Sequence, residues 1–170
     1  MILTGSAIKK GIEKKDITIF PFHTAQINPN SYNYRLGRKL RKFAGFNGSV
    51  SVFEDIELPE EGYVLDPQIM YLGHTYETIG SSRYAMSLIG RSSMGRLGLF
   101  LQLSANLGHT APPHQWTLEL FAAKPIRIYP EMIIGQISFW TNHGDIPLYD
   151  GTYGFFDGPH ESTYNHIRNL

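Results

Sequence analysis

The chain has 170 residues, with 15 Lys and Arg against 15 Asp and Glu, seven His and no Cys. That length suits one domain with a real core, and the balanced charge argues against a nucleic-acid polymer as partner. The lack of cysteine excludes a disulfide frame and a thiolate zinc site; no apolar run is long enough to span a bilayer and no signal peptide is recognisable, so no membrane partner is expected and a cytoplasmic location is the default.

In chain order, residues 1–3 read as a short strand and residues 5–15 as a helix, with Ile8 and Ile12 on one face and Thr4 and Ser6 available as caps. Residues 17–20 alternate like a strand and stop at Pro21. Asn28-Pro29-Asn30-Ser31 is a turn, followed by a strand over 32–36. Residues 38–43 form a basic strand, expected at a sheet edge, where lysines and arginines discourage pairing between molecules. Residues 44–61 mix Gly, Ser, Asn and acids and read as a loop with one strand at 49–53. Strands follow at 63–65 and 69–79, broken at Asp66-Pro67; in the second, Tyr71, Gly73, Thr75 and Glu77 share one face and Met70, Leu72, His74 and Tyr76 the other. His74 is read as a surface or packed histidine.

Residues 84–89 read as a strand that runs into a turn, and 99–103 as an apolar strand. Residues 104–115 are expected to be a loop, because Gly108, Pro112 and Pro113 forbid regular structure. Strands are expected at 116–123, 127–129 and 136–141, the last two around a turn at 130–135. From Gly144 onward no core pattern is visible and the chain reads as a tail. There is no repeat and no second domain; many short, evenly spaced strands indicate an all-β roll or barrel.

The stretch 90–120 concentrates the chemistry. Arg91, Ser92 and Ser93 open a turn kept tight by Gly95 and Gly98. Serines there can cap a helical turn whose free amides suit phosphate. Arg96 adds a planar fork of donors. Glu119 sits in Trp-Thr-Leu-Glu-Leu; Leu118 and Leu120 point to one face, so Glu119 points to the other, and a buried carboxylate there needs a partner.

Arg91-Ser92-Ser93-Met94-Gly95-Arg96 with Leu118-Glu119, together with Asn28-Pro29-Asn30-Ser31-Tyr32-Asn33-Tyr34-Arg35-Leu36-Gly37 and Ile128-Tyr129-Pro130-Glu131-Met132-Ile133-Ile134-Gly135-Gln136, resembles the dCTP deaminase branch of the dUTPase superfamily, of which this would be a divergent member. The resemblance implies a dUTPase-like β-clip or distorted barrel with a short N-terminal helix, a single domain over 1–170 whose tail at 144–170 closes over the active site, and a homotrimer with sites shared between subunits. The implied reaction is hydrolytic deamination of a cytosine (deoxy)nucleotide, dCTP to dUTP plus ammonia by default. Zinc-dependent base deaminases hold their metal through Pro-Cys-x-x-Cys; a chain without cysteine must activate water otherwise. No cofactor is expected in the protein, and Mg2+ would arrive on the substrate phosphates.

By the same resemblance Glu119 is the general acid–base, Ser92 contacts the attacking water, and Arg96 holds the carboxylate ionised and oriented. Arg91 and Ser93 contact phosphates, backbone at Thr117 reads the pyrimidine edge, and Tyr149 lies near the nucleotide. Three departures are visible. His109 stands where the family carries an Asp near the sugar, and no acid lies between Ala105 and Trp116; the tail offers Thr152 and Phe156 where the family brings Lys and Gln; and Asn33 replaces an Asp. His109 and His114 lack a third metal ligand in sequence, so no metal site is assigned. A dUTPase-like nucleotide diphosphohydrolase and a non-catalytic nucleotide-binding homologue are the alternatives.

Overall fold

The structure, a computed structural model, describes residues 1–48, 50–102 and 105–163. The helix α1 spans Gly5–Glu13, two residues shorter than expected. Thr4 is its N-cap, its hydroxyl accepting from the Ala7 amide at 3.4 Å; Ser6 lies inside the helix. Lys15, with φ 62°, turns the chain out of it. Ile8 is fully buried and Gly11 lets the helix settle on Ile17, since a Cβ there would stand 2.7 Å from Ile17 Cδ1.

The rest is almost entirely β. The strands are β1 (Ile17–Phe20), β2 (Tyr32–Arg35), β3 (Lys39–Phe46), β4 (Ser51–Glu57), β5 (Tyr63–Leu65), β6 (Met70–His74) and β7 (Thr78–Ser81). They continue with β8 (Tyr84–Gly90), then a five-residue helix α2 (Ser92–Arg96), β9 (Leu99–Leu101), β10 (Leu107–Gly108), β11 (Ala111–His114), β12 (Thr117–Ala122), β13 (Ile126–Ile128) and β14 (Ile133–Thr141). They form sheets ordered β1-β7-β11, β10-β8-β14-β2 and β4-β3-β6-β12-β9, plus the pair β13-β5. Residues 1–3 make no full strand: Ile2 bridges Trp140, and Leu3 N–H donates to Phe139 O.

Four expectations are corrected. β3 is not an edge: it lies between β4 and β6, and β4 takes the edge. Most of the expected loop at 44–61 is ladder, because β4 pairs with β3 along its length and both faces of that hairpin are largely exposed, which leaves no alternation to read. The expected strand 69–79 divides at Thr75, Tyr76 and Glu77, so that β6 and β7 serve different sheets. The expected loop at 104–115 holds β10 and β11. The prolines of β11 are tolerated because that strand pairs only with β7, at the edge of its sheet.

The core joins Tyr32, Tyr34 and Leu36 to Met86, Leu88, Leu118, Leu120, Ile134, Ile137 and Phe139, all at most 1 % exposed. Tyr34 lies across Gly135, where a Cβ would stand 2.0 Å from its ring, and donates to Ile89 O at 3.2 Å; burial pushes its hydroxyl pKa up. Beneath this core, Glu77 is completely buried. It accepts from Arg35 Nε (2.7 Å), the Arg35 amide (2.8 Å) and Gln26 Nε2 (3.3 Å), while the Arg35 guanidinium rests on the Tyr76 ring.

Candidate active site

β12 places Glu119. Its burial alternates strictly: Leu118, Leu120 and Ala122 point inward, and Thr117, Glu119 and Phe121 point to the opposite face, half-buried. Cross-strand register puts Leu72 of β6 opposite Glu119, and Met70 and Phe100 opposite Phe121. Residues directly opposite share a face, so the carboxylate borders an apolar strip in which Met70 and Phe100 are each about two-fifths exposed. Among the described residues the Glu119 side chain makes no hydrogen bond or ion pair.

α2 carries the Arg-Ser-Ser segment. Its N-cap is Arg91, with no side-chain cap, so the serines do not cap it as expected. Ser92, Ser93 and Arg96 are exposed and Arg91 is half-buried. The helix runs through Gly98 (φ 89°) into β9, whose first residue pairs with Ala122, beyond Glu119 on β12. Within the single chain no hydrogen bond or ion pair joins Arg96 or Ser92 to Glu119. The clamp expected from the sequence is therefore not formed within the chain.

His109 and Tyr149 do come together. Their rings stack with centroids 5.1 Å apart, and the Tyr149 amide donates to Thr110 O at 2.9 Å. Both line a cavity of about 510 Å³ with Thr110, Asn142 and Asp145. Thr117 meets the tail: its hydroxyl donates to Gly158 O (3.3 Å) and accepts from the His160 amide (3.2 Å), while the Gln115 amide donates to Asp157 Oδ1. The tail thus has more structure than expected, including a single 3-10 turn at Thr152–Phe155 and a Phe156–His160 stack. Gly158 and His160 reach Thr117 through main-chain groups, which carry no sequence signal.

The histidines are apart in role. His114 is tilted against Trp116, 4.3 Å between rings, and burial lowers its pKa. Among the described residues no three His, Asp or Glu side chains gather as a metal site would require. His74 is packed: 6 % exposed, its Nδ1 lies 2.9 Å from Thr75 O and its Nε2 faces the Lys39 amide. Asn33 is buried in a turn network, with Asn28 Nδ2 donating to its Oδ1 at 2.9 Å and its main-chain oxygen accepting from Gln26. No helix among the described residues is long and apolar enough to cross a membrane.

The chain is thus mostly β, with an outward carboxylate on β12 and the Arg-Ser-Ser helix leading into β9, the strand beside it. The sequence profile described as dCTP deaminase-like matches residues 2–142. A "dCTP deaminase, dUMP-forming" of Clostridium botulinum (strain Alaska E43 / Type E3) is 42% identical over 153 residues, 88% of each chain. A "dCTP deaminase" of Rhodopirellula baltica is 41% identical over 150 residues, 86% of this chain and 75% of that one. In fold, the crystal structure of 2'-deoxycytidine 5'-triphosphate deaminase from Agrobacterium tumefaciens superposes with a TM-score of 0.65 at 22% identity, over 84% of this chain; the chain spans about half of that one, 48%. The chain belongs to the dCTP deaminase-like family. The expectation of dUTP as end product does not match the dUMP in the Clostridium relative's name.

Proposed function

We propose that the protein is a dCTP deaminase that releases dUMP. The observation that carries the reading is the half-buried Glu119 carboxylate on the outer face of β12, which has no partner among the described residues, in a chain of this family. Glu119 takes a proton from water, the hydroxide attacks C4 of the cytosine ring, and the same carboxyl returns the proton to the departing amine, releasing ammonia. Such a general acid–base contributes about 10²–10⁴-fold. A second water then cleaves the phosphate chain, giving dUMP and diphosphate. Ser92 orients the attacking water, Arg96 orients the Glu119 carboxylate, and Arg91 and Ser93 hold phosphates whose charge is shared with a substrate-borne Mg2+. His109 and Tyr149 meet the sugar side, the Thr117 backbone meets the pyrimidine edge, and the tail closes over them.

Because Arg96 and Ser92 do not reach Glu119 in one chain, the complete site is shared between subunits of a homotrimer. The exposed Met70 and Phe100 beside Glu119 support burial of this face against a second copy. A second reading stops at dUTP, and the acid-free loop between Ala105 and Trp116 favours it. Chromatography of dCTP turnover decides: dUMP, diphosphate and ammonia support the first reading, and accumulation of dUTP without diphosphate supports the second. Glu119→Gln is expected to abolish ammonia release while nucleotide still raises Tm; undiminished turnover would end the assignment to Glu119.

A further inference from the structure

The ladder between β12 and β9 runs through Leu120 opposite Leu101 and then ends. Past it, the main chain of Glu119 is served by one residue. The Gln102 amide donates to Glu119 O at 3.2 Å, and the Glu119 amide donates to the Gln102 side-chain oxygen, Oε1, at 2.7 Å. The other end of the same side chain, Nε2, donates to Ala105 O at 3.3 Å. Gln102 adopts φ 51°, a left-handed conformation uncommon outside glycine. That turn carries the chain out of the strand while leaving the side chain pointing back at β12. One carboxamide thus replaces the missing rung and ties the Glu119 peptide to the start of the segment that leads to His109.

We infer that Gln102 is a positioning residue for the Glu119 carboxylate: its carboxamide fixes the peptide from which the general acid–base projects. The inference rests on the deaminase reading above. A catalytic group must be held within a fraction of an ångström of its productive position, and a small misplacement costs rate before it costs binding. Gln102 binds the Glu119 main chain, so its effect passes through Glu119.

Two variants remove the carboxamide in opposite ways. Gln102→Gly relaxes the left-handed backbone, and Gln102→Leu keeps the bulk of the side chain. Both are made in the full chain and assayed for ammonia release from dCTP, for Tm, and for exchange of the Glu119 amide proton by NMR. The expected result is a fall in kcat of about tenfold or more with KM changed by less than about threefold, and faster exchange at Glu119. Either folded variant retaining kcat within about twofold of wild type, or a loss confined to KM, overturns the inference. So does failure of both variants to fold, which would make the carboxamide a structural tie. A wild-type chain that releases no ammonia removes the deaminase reading instead, and the exchange measurement still reports whether Gln102 holds the Glu119 peptide.

Discussion

At the scale of single residues, the sequence exposes direction more readily than partnership. That Glu119 faces away from Leu118 and Leu120 follows from strand periodicity, and the structure agrees. That Glu77 is buried against Arg35 does not follow, because the two lie 42 residues apart and meet only once β2 has docked on the bend between β6 and β7. Removing one member strands the other: Glu77→Ala is expected to cost roughly 3–5 kcal/mol, read as a loss of Tm. Arg35→Met with Glu77→Leu is expected to recover much of that loss; a double variant as unstable as the sum of the singles would contradict this account. His74 gives a pH dependence. Its ring is held neutral, with Nδ1–H donating to Thr75 O and Nε2 accepting from the Lys39 amide, and burial lowers its pKa. A folded value below the unfolded one means the contribution is complete above about pH 6.5 and is lost as pH falls through the lowered folded value. Tm should therefore drop on acidification below pH 6.5, and His74→Gln should flatten that slope.

At the scale of elements, long apolar periods were legible and paired polar ones were not. α1, β1, β2, β8 and β12 fall close to where periodicity puts them. β4 was hidden because a hairpin exposed on both faces has no alternation, and β11 because prolines normally argue against a strand. The site shows the same division: Ser92, Ser93 and Arg96 stand out as a motif, whereas Gln102 is one amide at the end of an apolar run and gains meaning only from the strand beside it. Close packing between elements is tested at Gly37, just past β2. A Cβ there would lie 2.1 Å from His74 Cε1, so Gly37→Ala is expected to cost roughly 1–3 kcal/mol by overpacking. Thr4→Ala, which removes the cap of α1, should cost about 1 kcal/mol. Thermal or urea unfolding of each variant checks both values, and a neutral Gly37→Ala would mean that the His74 ring moves freely.

At the scale of the whole molecule, the fold class and the family were legible because the motifs keep their order along most of the chain. Whether the site is shared was not, because a half-buried carboxylate and an exposed Arg-Ser-Ser helix look alike in sequence whether they meet within one chain or across two. Mixing separates these cases. If each site draws Glu119 from one subunit and Arg96 from another, co-refolded Glu119→Gln and Arg96→Ala chains, each inactive alone, should regain about a quarter of wild-type activity by random assembly. A mixture that stays inactive would place both groups in one chain. The prolines of β11 bear on how copies can meet at all. Pro112 and Pro113 offer no N–H on the outer rim of the β1-β7-β11 sheet. A neighbouring backbone finds no donor at those two positions, which discourages strand addition along that rim. Contact between copies at that rim is left to side chains.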